Sequence, residues 1–423
     1  MIGLLWGAAA ISGGIIGAAL ACVPGLHLFF ILSLAYPFVA YVDHASGIAL
    51  LTGMIAGYAM TNSVSATLAS APDESFAYAG SAMNRLRHDG QAGRAIFESS
   101  TGGLLATALL TVTLLCFGST LLPGLLQTIA RHQRWLAWGF TAFAAIACVT
   151  SPTTGSPHTG LRKNGRRGFA ALMLFCLTGL VGVILWLSAP LSLPAVGKSL
   201  AVGLLGLFTL PHLILRPPSM QPAQNADPTT IRQRWAAVIS GMWAGALCVV
   251  APGATAATTS MLCAHTRQSS NQAQIVAHGA ARLTFYGTCV TLVLLPGGGL
   301  LFPEAATLLK KPIEPQDVLL SLAAFAIAVG TAFLSQRTLI RFAQRLYQRL
   351  NLNPHWVALW IALLVALFCG AAGVALLLVT TGLGLLIQLY AQHSAAGMGL
   401  VLAPLLCESS ALGPWAAMAM GVH

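Results

Sequence analysis

The chain has 423 residues, of which 57% are apolar and only 7% charged, against roughly 25% charged in an ordinary soluble domain. Mean hydropathy is +0.79 and the formal net charge is +11. So little polar surface cannot cover a soluble fold, which excludes a soluble enzyme, a coiled coil and a disordered chain. The basic excess therefore belongs to loops beside membrane segments, not to a nucleic-acid groove.

A spanning helix needs roughly 20 apolar residues. In chain order the candidates cover about 2–23, 26–42, 46–70, 95–121, 134–150, 168–189, 197–215, 235–263, 282–302, 316–336, 356–391 and 397–420. The first has no Lys or Arg, so it reads as a retained helix and not a cleaved signal. The stretch 235–263 is interrupted by Pro252-Gly253, and 356–391 is long enough for one long helix or two short ones. Polar loops lie between these runs. The Pro-rich segment from Arg216 to Arg234 separates a first repeat, 1–222, from a linker, 223–234, and a second repeat, 235–423. Arg337, Arg341, Arg345 and Arg349 recur every fourth residue and so share one solvated helical face. All nine cysteines lie in or beside apolar runs and none forms a C-x-x-C pair, so neither a metal cage nor a disulfide framework is expected. The expected fold is an all-α polytopic membrane protein of about 10–12 transmembrane or re-entrant helices in two structural repeats with Pro-Gly broken helices.

The repeat rests on one spacing. Gly13-x3-Gly17-x6-Pro24-Gly25 returns as Gly241-x3-Gly245-x6-Pro252-Gly253. A helix that stops inside a membrane leaves backbone groups unpaired, and those groups must face protein, water or a polar ligand. A half-helix that starts after Pro-Gly turns its N–H groups and partial positive charge toward an anion. Candidate substrate-binding residues cluster at these breaks: Pro24, Gly25, His27, Asn62, Ser63 and Ser65 at the first, and Pro252, Gly253, Thr255 and Thr258 at the second. Acids are rare, and an acid within the bilayer marks a functional site by default. Asp73, Glu98 and Glu408 are therefore candidates for coupling to an ion, a proton or sodium; no catalytic residue, metal ligand or further cofactor is expected.

These residues resemble the large membrane subunit of the tripartite tricarboxylate transporter family, and are most similar to its shorter, archaeal-type branch. The resemblance rests on Gly13 to Gly25 with Leu26-His27, Asn62-Ser63 to Pro72-Asp73, and Gly90 to Ala95. It continues through Gly203 to Phe208, Pro252-Gly253, Thr380 to Leu386, and His393 with Gly397 to Pro404. It implies a non-enzymatic permease: a secondary transporter of an organic anion of the carboxylate class, working by alternating access about the two breaks. The implied partners are a small membrane subunit and a periplasmic binding protein, in an inner, cytoplasmic membrane. A second copy of the chain and membrane lipids complete the expected partners. The chain departs from the family where an acidic P-E-x-x-N-N-A stretch would stand, reading His278-Gly279-Ala280-Ala281-Arg282. That departure leaves a single-component carrier open.

Two other functions fit the same residues. A translocase for a lipid-linked phosphate, such as polyprenyl phosphate, would use the same helix termini for a phosphate on an anionic lipid. A membrane assembly subunit would need no site. An intramembrane enzyme finds no support, because no H-E-x-x-H or G-x-S-x-G occurs. Placing 85–94, 162–167, 216–234, 267–282 and 337–349 in the cytoplasm gathers most of the 21 basic residues there. On that count, inverted repeats would push 267–282 and 337–349 to the other side, so charge and inversion disagree. With so few acids, an anion is expected to be held mainly by backbone N–H groups and hydroxyls.

Overall fold

The computed structural model describes residues 2–39, 41–76, 79–150, 161–187, 196–215, 231–250, 256–265, 270–293, 315–349, 354–391, 394–410 and 418. Among them the secondary structure is entirely helical. Five helices are long and apolar enough to cross a membrane: His44–Leu68, Ala92–Gly118, Arg167–Leu187, Asp317–Arg349 and His355–Tyr390. Four shorter apolar helices, Leu5–Ala21, Leu28–Val39, Ser199–Leu215 and Ala396–Ser409, accompany them. Large apolar side chains such as Leu334, Leu367 and Leu378 face outward, as a lipid-facing surface requires. The chain is a multi-pass membrane protein.

The first helix, α1 (Ile2–Ala21), packs along α3 (His44–Thr61). A methyl group on Gly13 or Gly17 would fall on the backbone carbonyl of Leu50 or Met54, and one on Gly53 or Gly57 on that of Ala10 or Gly14. The backbones thus touch, which only glycine permits. Both sets of numbers rise together, so α1 and α3 run in the same direction. Between them α2 (Leu28–Val39) returns the chain. The six-residue α4 (Ser63–Leu68) continues α3 after Asn62.

After α5 (Gly80–His88), α6 (Ala92–Thr150) is one continuous helix of 59 residues. The sequence suggested two spans there; Pro123 is accommodated inside the helix and does not end it. At 1.5 Å per residue α6 is about 88 Å long, so only part of it lies in a bilayer core of about 30 Å. The helices α7 (Leu161–Leu187), α8 (Val196–Leu204) and α9 (Leu210–Leu215) close the first half, with a π-helical turn, Leu205–Thr209, joining the last two.

In the second half α10 (Ile231–Val250) is followed by α11 (Ala256–His265) and α12 (Asn271–Val293). Gly241 backs onto the Ala277 carbonyl and Gly245 onto that of Ala281, so α10 and α12 also run in the same direction. The expected start of a span at 282 is corrected here: α12 begins eleven residues earlier, and Arg282 lies inside it and not in a loop. Next come α13 (Pro315–Arg349) and α14 (Pro354–Leu386). The latter is two helical segments joined at Gly370, where φ is 64° and ψ −163°. The last helix is α15 (Gly399–Ser409).

The third helix of each set packs on the opposite half. α13 lies along α1 and α3, with Gly14 against Ala328 and Thr52 bonded to Ser321 at 3.0 Å. α6 lies along α12, with Gly279 against Ser99 and Gly287 against Leu110. The two sets run oppositely, because Gly287 of α12 meets Phe325 of α13 whereas Gly279 sits beside Ser99, whose neighbour Ser100 bonds Gln336.

Candidate functional site

The first break forms where Pro24 supplies no N–H and Gly25 takes φ +77°, a left-handed conformation that glycine alone adopts cheaply. A side chain on Gly25 would also strike Ile361 of α14. The freed Cys22 carbonyl accepts the Tyr347 hydroxyl from α13, and Val23 N–H bonds Leu20 O at 3.0 Å. His27 then caps α2: its Nδ1 accepts the Phe29 N–H at 3.3 Å.

Across this break lies the chain after α4. Ser70 has φ 52° and accepts a bond from the buried Arg87. Thr209 donates to Pro72 O at 2.8 Å. The turn Glu74–Phe76 that follows is wholly buried. Asp73 accepts four hydrogen bonds: from Tyr58 Oη at 3.0 Å, Asn62 Nδ2 at 2.6 Å, Ser75 N at 3.0 Å and Ser75 Oγ at 2.5 Å. Glu74 meets His27 Nε2 at 2.9 Å, with both side chains almost fully buried. A small cleft reaches this cluster, lined among others by Gly25, His27, Tyr58, Ser65, Asp73 and Thr209.

Leu205 and Thr209 close the cleft, while α11 packs on the Glu74–Phe76 turn and α12 packs on α11. Arg282 is 2% exposed and its guanidinium lies 4.3 Å from the centre of the Phe76 ring. Among the described residues none of its three side-chain nitrogens has a hydrogen-bond acceptor. Asp73 attracts it electrostatically without closing an ion pair. His278, one turn earlier, is also buried. The hydroxyls of Ser63, Thr258, Thr284 and Thr288 are buried and have no partner among the described residues, as is Asn62 Oδ1.

The sequence-based candidates therefore divide. Pro24, Gly25, His27, Asn62, Ser65 and Asp73 come together, and Ser63 is buried beside Asn62. Thr258 is buried on α11; Pro252, Gly253 and Thr255 lie outside the described residues. Glu98 is no isolated acid, since Arg234 donates to both its oxygens at 2.9 and 3.0 Å. Glu408 is exposed on α15. Arg282 and Glu74 are the residues the candidate set lacked. One signal pointed to Arg282: helix-forming residues run unbroken from Asn271 into the apolar stretch.

A helical fold with membrane-length helices and a buried charged cluster is compatible with a membrane transport protein. The chain belongs to the tripartite tricarboxylate transporter TctA family, whose model matches residues 8–399. No curated protein and no solved structure matches it.

Proposed function

We propose that this chain is the permease of an organic-anion transport system and carries a small carboxylate between the first break and α12 by alternating access. One observation carries the reading: the Arg282 guanidinium, buried at the middle of α12, lacks an acceptor among the described residues. Arg282 lies about 16 Å along α12 from Asn271 at 1.5 Å per residue, which is mid-membrane in our reading of α12 as a span of a core of about 30 Å. A charge at that depth costs about 2.5–3.5 kcal/mol, so it calls for a counter-charge that brings acceptors. Asp73 supplies charge, but its oxygens already accept other donors. A planar carboxylate offers the two acceptors a guanidinium fork takes.

Two structural repeats of opposite direction support alternating access. Gly13 and Gly17 of α1, packed on α3, match Gly241 and Gly245 of α10, packed on α12, and each pair takes its third helix from the other half. The beginnings of α6, α10 and α12 are tied together by Arg234–Glu98 and by Arg94–Gln272 at 3.1 Å. The later part of α13 joins them through Gln336 and Ser100. Its arginines, Arg337 to Arg349, lie on that same side, all exposed. Inversion and charge thus agree, and this side is the cytoplasmic one of an inner membrane by the positive-inside rule. A periplasmic binding protein and a small membrane subunit are the partners the family name suggests.

The test is uptake of labelled succinate, tartrate or citrate by liposomes holding the full chain, with or without its partners. Arg282→Gln should lose at least about 30-fold, the equivalent of ~2 kcal/mol for one arm of a buried charge pair, and Arg282→Lys should fall between. Wild-type rates in Arg282→Gln would sink the site assignment.

A further inference from the structure

We infer that the His27–Glu74 pair is the proton-coupling site of this permease, binding one proton each time an anion binds at Arg282. The inference rests on the anion-carrier reading and adds the identity of the coupling ion.

The ring of His27 is committed on one side. Its Nδ1 accepts the Phe29 N–H, so the ring proton sits on Nε2 and is donated to Glu74. The imidazole is therefore neutral and Glu74 carries the pair's charge. Among the described residues Glu74 makes this one hydrogen bond, whereas Asp73 makes four. Spare acceptor capacity places the mobile proton on the pair and not on Asp73.

The local charges make that proton necessary. Counted in their ordinary ionised forms, the buried Arg282 supplies one positive charge and the buried Asp73 and Glu74 two negative ones, which makes the empty site net −1. The remaining titratable groups that face the cluster add no charge in their ordinary state: Tyr58 from α3, and Tyr286 and His278 from α12. α11 brings the neutral Thr258. An arriving carboxylate would enter a negative, water-poor enclosure, where like charges repel by several kcal/mol. One proton on the pair returns the empty site to neutrality and leaves Arg282 free to hold the anion. The proton goes to the free oxygen of Glu74 or to His27 Nδ1. In the second case the Phe29 N–H loses its acceptor, and the start of α2, at the break itself, is loosened. Proton binding, anion binding and movement of the break would then be linked in one place.

Liposomes containing the full chain separate coupling from carriage. Exchange of labelled for unlabelled succinate, tartrate or citrate needs no net proton movement, whereas uphill uptake driven by a pH gradient does. The wild type should do both, with initial uptake rising up to about tenfold per unit of external acidification where the pair titrates. Glu74→Gln, which fixes the neutral state, should lose gradient-driven accumulation at least tenfold more than it loses exchange. Glu74→Gln that still accumulates against a pH gradient overturns the inference. So does a wild type driven by a sodium gradient and indifferent to pH, a measurement that needs no variant to fold. A wild type that exchanges none of the three probes removes the anion-carrier reading and the inference with it.

Discussion

The two glycine-backed helix pairs share a scaffold and differ in chemistry. α1 and α3 meet through Gly13, Gly17, Gly53 and Gly57, and α10 and α12 through Gly241 and Gly245. Beyond the contact the pairs diverge. The end of α3 leads through Asn62 to Asp73 and Glu74, so the first pair presents acid. α12 carries His278 and Arg282 on its own turns, so the second presents base. Close packing of small residues fixes where the helices sit, and the opposed charges are carried onto that frame.

The largest expected effect comes from removing the base. Arg282→Gln should lower carboxylate transport at least about 30-fold, as stated above, with the chain still inserted in the membrane. Removing the acid asks whether the comparison is one of mutual compensation. Asp73→Asn keeps most of the hydrogen bonds around Tyr58, Asn62 and Ser75 but deletes the charge facing Arg282. Glu74 still balances Arg282 in this variant, so the empty site turns neutral and the loss stays well below the about 3–5 kcal/mol of a wholly uncompensated buried charge. The variant should therefore melt only slightly lower without ligand and gain a larger shift than wild type on adding citrate. An unchanged melting temperature with and without citrate would separate Asp73 from Arg282.

Much of the frame was legible in the sequence because spacing encodes it. The G-x3-G pairs and the arginine ladder of α13 can be read off periodicity, and the structure places the glycines at close helix contacts and the arginines at exposed positions. What periodicity hides is depth. Arg282 interrupts hydropathy, so the apolar run was read as starting at it, although α12 begins at Asn271. That error put a buried charge in a loop. Glu74 was passed over for Asp73 because only the fold brings His27, 47 residues earlier, to its carboxylate. Glu98 looked like an intramembrane acid because Arg234, 136 residues away, could not be seen as its partner.

The scaffold side of the comparison can be broken with methyl groups. Gly17→Ala and Gly245→Ala each gain about 1 kcal/mol of helix propensity but must push two backbones apart. Overpacking of this kind costs about 1–3 kcal/mol, so both should be destabilised slightly to moderately. Equivalent frames predict similar losses of thermal stability in the two variants. Gly7, with open space around it, serves as the control, and Gly7→Ala should be neutral or stabilising. A loss confined to one pair would show that only one contact is a structural hinge point. Gly25→Ala adds a different strain, since its φ of +77° disfavours any Cβ by roughly 1–2 kcal/mol. Trimming Ile361 to Ala in that background should recover the collision but not the backbone term.

The smallest effect tests whether the entry to α3 matters to the site at its far end. Asp43 caps α3, accepting the Ser46 N–H at 3.0 Å. That bond holds its carboxyl below the usual carboxylate range. A group whose folded pKa is depressed stabilises the fold above its unfolded value, near 3.9, and loses that contribution as pH falls through the lower folded value. The contribution is therefore complete at neutral pH and disappears only in acid. Asp43 is exposed, so solvent screening leaves the charge itself little leverage. What Asp43→Ala removes is the cap, worth about 0.5–2 kcal/mol. The variant should melt a little lower at pH 7, and the gap should close as the pH is lowered toward 3. Carboxylate exchange should stay at the wild-type rate, because α3 is held along its length by α1 and α13 and not by its first turn. A transport defect out of proportion to the stability loss would mean that the start of α3 moves with the break, and that the glycine-packed frame is less rigid than its backbone contacts suggest.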